Sequence, residues 1–369
     1  MRLFHAEDLQ DVAVGAAVLG TGGGGDPYIG KLMAMQAIRQ HGPVEVIDVD
    51  ELGDEDILAP AAMMGAPTVM VEKLPNGTEI VTAFRSLEEY LGRPIAAVLC
   101  GEAGGLNSTV PFIVAAEMGL PLVDGDGMGR AFPELQMVTF TLHGVRATPM
   151  VMADDKGNSV LLHTVDNHWT ERLARSATVE MGGAALIAFY AMDGRTAKRA
   201  IVRGTVTLAA DIGRAIREAR AAKRSPIEAV RQRVGAYRLF SAKIMDVDRR
   251  TVGGFARGEA RLEGVDEDAG RSFRIQFQNE FLVALEGDEV LVSTPDLITL
   301  LDADSGEPIT TESLRFGFRV VALGIPSDPQ WRTDAGLALV GPRYFGYDID
   351  YRPVEDRVGA QVSPEGRAV

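Results

Sequence analysis

Between residues 44 and 163 short apolar runs recur: VEVIDV at 44–49, TVMV at 68–71, IAAVL at 95–99, PLV at 121–123, MVTFTL at 137–142, PMVM at 149–152 and VLLH at 160–163. Stretches with helical spacing, such as 86–91 and 109–118, lie between several of them. Strands alternating with helices predict an α/β layer with a largely parallel sheet. No other feature constrains the fold as tightly. Asp154-Asp155-Lys156-Gly157-Asn158 reads as a hairpin turn near the end of this region.

Two helices are expected before the sheet. In AEDLQDVAVGAAV (6–18), Leu9, Val12, Ala16 and Ala17 share a helical face. A glycine run stops that helix, and Asp26-Pro27 starts another, with Asp as N-cap and Pro at the first helical position. His41-Gly42-Pro43 ends it. Residues 168–236 read as mainly helical: Val206, Ala209, Ile212, Ala215, Ile216 and Ala219 form one stripe, and Ser225-Pro226-Ile227-Glu228 has the form of a capping box. Residues 237–360 turn β-rich, with runs at 273–285, 289–293 and 315–323, and SPEGRAV (363–369) is a polar tail. The expectation is an N-terminal α/β domain (1–167) and a C-terminal domain (168–369), the latter a helical segment followed by a β-rich one.

The 369 residues suffice for two or three domains, and 46% apolar with 24% charged residues is ordinary for a water-soluble protein. A net charge of −15 argues against nucleic acid as a partner. Lys and Arg nevertheless outnumber Asp and Glu by 17 to 6 between Arg195 and Arg261, which reads as solvated helix faces before it reads as an anion site. A single cysteine, Cys100, fits a reducing compartment. No apolar run reaches membrane-spanning length, and MRLFHAEDLQ has acids where a secretion signal needs an apolar core. A cytoplasmic protein acting on a small molecule, away from membranes, is expected.

Three glycine-rich stretches carry the candidate chemistry. In LGTGGGGDPYIGKL (19–32), Gly25 to Lys31 spells G-x-x-x-x-G-K, yet Leu32 stands where a P-loop needs Ser or Thr, and a helix precedes it. No nucleotide cofactor is expected. The stretch reads either as a helix–helix corner or as bare backbone, Gly23 and Gly24 included, lining a pocket. The second, CGEAGGLNST (100–109), follows a strand and precedes a helix, where open α/β sheets bind ligands. It offers Glu102, Asn107 and Ser108. The third, DGDGMGRAFPE (124–134), crowds Asp124, Asp126, Arg130 and Glu134 at another strand end. Met128 and Leu135 exclude an EF-hand loop. Paired acids can share a proton or bind a divalent metal, and an arginine fork can hold a substrate oxygen. The alternative is a structural Asp–Arg network that ties down the loop. Cys100 reads as a small buried residue, and His163 and His168 near Asp166 lack metal-motif spacing. Asn279-Glu280 interrupts a strand-like run and faces either a cleft or solvent.

LGTGGGGDP, GEAGGLNS and DGDGMGRAFPELQM, with the later FQNE, TPDLI and GPRYFGYD, resemble the S-methyl thiohydantoin desulfurase family over nearly the whole chain. DGDGMGRAFPE is the most specific of these motifs. The resemblance implies a two-part enzyme that hydrolyses S-methyl thiohydantoin, a cyclic ureide, to hydantoin and methanethiol. It also brings in an association with hydantoinases and oxoprolinases. It assigns no residue roles. On the chemistry, Glu102, Asp124 or Asp126 would supply a base, directly or through a metal, while Gly23, Gly24, Asn107, Ser108, Arg130 and Glu134 would bind the ring. Two alternatives stand beside this: a non-catalytic partner of a hydantoinase/oxoprolinase system, and a metal- or anion-binding module. A homo-oligomer is compatible with each.

Overall fold

In the computed structural model, which describes residues 2–65, 77–252 and 255–361, the glycine run joins two helices. Strand β1 (Arg2–Phe4) leads into α1 (Asp8–Leu19), and α2 (Pro27–His41) follows the glycines. The Asp26 carboxylate accepts the Tyr28 amide at 2.8 Å, with Pro27 opening the helix. Gly42, at φ 107°, ends it.

The strand–helix rhythm then appears as β2 (Val44–Ile47), β3 (Ile57–Gly65), α3 (Glu79–Leu91), β4 (Ala97–Cys100), α4 (Val110–Met118) and β5 (Leu122–Val123). Strands β2, β5, β4 and β3 lie parallel in that order. Next come β6 (Gly125–Asp126), α5 (Thr139–Leu142), β7 (Met150–Ala153), β8 (Ser159–Leu162), α6 (Asn167–Glu180), β9 (Ala184–Ala188), β10 (Met192–Asp193), α7 (Gly194–Ala200) and β11 (Val202–Arg203). The nine-stranded sheet is ordered β1-β2-β5-β4-β3-β9-β7-β8, with β10 beside β3. The parallel arrangement expected from the sequence is its β2–β5–β4–β3 part. The sheet as a whole is mixed, because β1, β7, β8, β9 and β10 pair antiparallel. Asp154 makes the β7–β8 turn by accepting the Lys156 and Asn158 amides, and so tight a turn can only join antiparallel strands.

Two corrections concern strands. The run at 137–142 forms no strand. The Gly127 carbonyl accepts both the amide (2.7 Å) and the hydroxyl (3.1 Å) of Thr139, which pins the segment as the short helix α5. Strand β3 lies outside the apolar runs of the sequence reading. Pro60 and the alanines around it hide a strand that is buried along almost all its length. The strand expected at 68–71 and the tail at 363–369 lie outside the described residues.

The chain folds into two compact units, Met1–Arg214 and Ala215–Val369. It passes from one to the other within α8 (Thr205–Ala221). Inside the first unit α1 and α8 touch backbone to backbone. A Cβ on Gly15 would fall 1.8 Å from the Ala209 carbonyl oxygen, and one on Gly213 2.0 Å from that of Asp11.

The second unit opens with α8's last turns and α9 (Pro226–Val234), where the Ser225 hydroxyl accepts the Glu228 amide at 3.2 Å. The Glu228 carboxylate turns instead to Arg231 and Gln232. Seven strands follow: β12 (Tyr237–Val252), β13 (Phe255–Gly264), β14 (Ser272–Gln278), β15 (Glu280–Glu286), β16 (Glu289–Ser293), β17 (Leu297–Asp302) and β18 (Arg319–Ile325). They form one antiparallel sheet, β16-β15-β14-β13-β12-β18-β17, around a core in which Phe240 stacks on Phe273 at 4.0 Å. The run at 273–285 is therefore two strands. Asn279, at φ 57°, turns between them, and its side-chain oxygen accepts the Ala256 amide. Helices α10 (Asp334–Val340) and α11 (Val354–Gln361) complete the unit. Among the described residues no helix is long and apolar enough to cross a membrane.

Candidate functional site

Strands β4 and β5 run side by side, so the loops that leave their carboxyl ends emerge together. The β4 loop (101–105) lies against the glycine run. The Leu106 amide donates to the Gly24 carbonyl at 2.9 Å. A Cβ on Gly24 would sit 2.7 Å from Gly104 backbone, and one on Gly105 only 1.8 Å from the Gly25 carbonyl oxygen. Glycine is therefore required here by contact, and at Gly24 by its φ of 76° as well. The β5 loop joins through the Gly127 amide, which donates to the Gly101 carbonyl at 3.2 Å. It joins also through Arg130, whose Nη2 donates to the Thr21 hydroxyl at 2.9 Å. All three glycine-rich stretches thus converge.

Glu102 lies at the centre and is 7% exposed. Its Oε1 accepts the Asn107 side-chain amide at 2.7 Å, and its carboxylate also accepts the Phe132 backbone amide. Asn107 is fixed in turn by the end of β3: its Oδ1 accepts the Met63 amide at 2.7 Å. Burial raises the Glu102 pKa to about 7, against the opposing pull of these two donors. Asp126 is fully buried. Its carboxylate accepts the amides of Gly129 (2.9 Å), Met128 (3.2 Å) and Ala103. Burial raises its pKa to about 8 despite them. The two loops therefore exchange donors: Ala103 beside Glu102 serves Asp126, and Phe132 beyond Asp126 serves Glu102.

The other expected residues are placed as follows. Asp124 accepts the Thr207 amide at 2.9 Å and its carbonyl accepts the Gly204 amide, so it caps α8. Ser108 is buried, its amide donating to Gly104. Gly23 donates to Gly20 within the corner. Arg130 is fully buried, donates to the Ala131 carbonyl at 3.0 Å and lies 4.3 Å over the Phe132 ring. Glu134 accepts from the Gln136 side chain, one step further along the loop. Glu102, Asn107, Ser108, Asp126, Arg130 and the glycine run are thus one assembly.

Three contributors carried no separate signal in the sequence. Thr21 is fully buried with φ 51°, a costly conformation for a β-branched residue, and it receives Arg130. Met63 and Phe132 act through backbone groups, which residue identity does not advertise. The Cys100 thiol pKa is pushed well up by burial and by the Asp126 and Asp124 charges, which opposes a thiolate nucleophile. His163 and His168 are exposed, and Asp166 caps α6 by accepting the Trp169 amide.

Among the described residues no group of three or more His, Cys, Asp or Glu is placed to hold a metal ion. Hydrogen-bond donors converge on the oxygens of Glu102 and Asp126. Such a donor shell suits a carboxylate that exchanges a proton and does not suit a cation ligand.

Comparison with known proteins places the chain in a family. A family model described as S-Me-THD-like, N-terminal domain, matches residues 7–164, and one described as S-Me-THD-like, C-terminal domain, matches residues 165–354. A crystal structure of a protein from Chromobacterium violaceum, a structural genomics target, is similar over 96% of this chain and 100% of its own, with 25% identity and a TM-score of 0.79. No curated protein matches.

Proposed function

This chain belongs to the S-Me-THD-like family, and on that premise we propose that it is a hydrolase converting an S-methyl thiohydantoin to the hydantoin and methanethiol. Water adds to the ring carbon that bears sulfur. A C–O bond forms at the expense of the ring C=N π bond, the ring nitrogen takes one of the water's protons, and the C–S bond then breaks as the thiolate leaves with the other. Glu102 is the proposed base: it takes a proton from the attacking water and returns one to the departing sulfur. A carboxyl whose pKa lies near 7 can do both at neutral pH. That poised, buried carboxyl among glycine-loop amides is the observation that carries the reading. Amides of the glycine run are suited to hold the ring carbonyls as charge builds on them, while Arg130, donating to Thr21 and Ala131, fixes the loop beside them.

The test is methanethiol release from a panel of S-methyl thiohydantoins, with and without chelator. The native protein should release thiol, and Glu102→Gln should lower kcat by about 100-fold or more, the scale of general-base catalysis. Full turnover by Glu102→Gln would overturn the assignment of the base. Inertness of the native protein alone, with activity restored by a hydantoinase or oxoprolinase partner, would favour a subunit role instead.

A further inference from the structure

The segment that delivers the Phe132 amide to Glu102 is gripped from outside its own loop. The Leu135 amide donates to Glu171 Oε2 at 3.0 Å. The Pro133 carbonyl accepts Arg175 Nη2 at 3.3 Å, and Arg175 is ion-paired to Glu171 one helical turn away. The Leu135 carbonyl accepts the Tyr190 hydroxyl at 3.4 Å, and that hydroxyl also meets the Thr141 hydroxyl at 2.9 Å. Glu171 and Tyr190 are buried. Three side chains, 36 to 55 residues distant in sequence, hold Pro133 and Leu135, either side of Glu134. An ordinary surface loop needs no such grip.

We propose that Glu171, Arg175 and Tyr190 are positioning residues that keep the 133–135 segment in place, so that the Phe132 amide stays on the Glu102 carboxylate. They touch no reacting atom and act through one backbone hydrogen bond. The inference rests on Glu102 being the base. Charged and titratable groups on the elements packed around Glu102 are Cys100, Asp124, Asp126 and Arg130, and those beside Glu171 are Arg175, Glu134 and Tyr190. None of the Glu102 neighbours is altered in the variants below.

A donated amide favours the charged carboxylate, so loosening the grip raises the Glu102 pKa. Glu171→Gln and Tyr190→Phe should therefore move the acid limb of kcat/KM upward by about half a unit to one unit. KM should change little, and Arg175→Lys, which keeps the charge, should restore most of the native profile. Carboxyl 13C NMR of labelled glutamate, with Glu102 identified by Glu102→Gln, reads the same shift without substrate. A Glu102 titration that moves in Glu171→Gln and Tyr190→Phe supports the grip even if the protein proves inactive on thiohydantoins. An unmoved titration in Tyr190→Phe, with the fold intact by circular dichroism, overturns it. So does a lowered kcat whose pH profile matches the native one.

Discussion

At the scale of single residues, burial without full charge compensation dominates. Burial raises Glu102 to about 7 and Asp126 to about 8, from ordinary values near 4.5 and 3.8. The folded protein keeps these protons to higher pH than the unfolded chain does. Their contribution to stability is therefore complete below about pH 4 and is lost as pH rises through 7 to 8, at roughly 1 kcal/mol per pH unit per group. Urea unfolding from pH 4 to 9 should show that decline, and Asp126→Asn, uncharged throughout, should flatten it. The glycines act by shape. Gly105→Ala would set a Cβ 1.8 Å from the Gly25 carbonyl oxygen, so backbone must move, at a cost of about 3 kcal/mol or more. At Gly42, where a Cβ meets nothing within 4 Å, only the φ of 107° resists, and Gly42→Ala should cost about 1 kcal/mol. Thermal unfolding of the two variants separates contact from conformation.

At the scale of elements, caps and close helix contacts set the frame of the site. Asp124 is one of the three carboxylates the sequence offers as a base, and in the structure its side chain is occupied at the N-terminus of α8. Asp124→Ala should cost about 1–2 kcal/mol of stability, as loss of a cap does. Methanethiol release by the folded Asp124→Ala protein should stay within about threefold of native, in contrast to Glu102→Gln. A large loss of turnover with unchanged stability would reverse that assignment. Local elements were the most legible part of the sequence. The Asp26-Pro27 and Ser225-Pro226 helix starts appear as read, because an N-cap bond spans only two or three residues. The run at 137–142 has strand-like composition but folds as a helix for the converse reason: the partner that decides its conformation, the Gly127 carbonyl, is twelve residues back along the chain.

At the scale of the molecule, several cations of the basic stretch from Arg195 to Arg261 pair with acids outside the stretch, each within its own unit. Arg203 meets Asp50 at 2.7 Å and Lys198 meets Asp54 at 2.9 Å. In the second unit Arg220 meets Glu307 at 2.6 Å and Arg238 meets Asp268 at 2.8 Å. An anion site would need these cations unoccupied. Most of the pairs are at least partly exposed, so each contributes little and is screened by salt. Arg203→Ala should lower stability by less than about 1 kcal/mol in 0.15 M salt, checked by chemical denaturation, and the protein should not be retained on a phosphate-bearing resin at that salt.

The sequence by itself determined the class of the two units, the helix starts, and the three glycine-rich stretches that carry the family resemblance. Each of those depends on side-chain chemistry within a few residues. It also placed Glu102 and Asp126 at strand ends, where α/β sheets bind ligands. Which acid is a cap and which is poised was decided only in three dimensions. Asp124 and Asp126 are near-identical in sequence context, yet one meets the α8 amides and the other is sealed beneath Ala103 and Gly129. Proton affinity depends on burial and on donors from distant segments, and those exist only after β4 and β5 have brought their loops together.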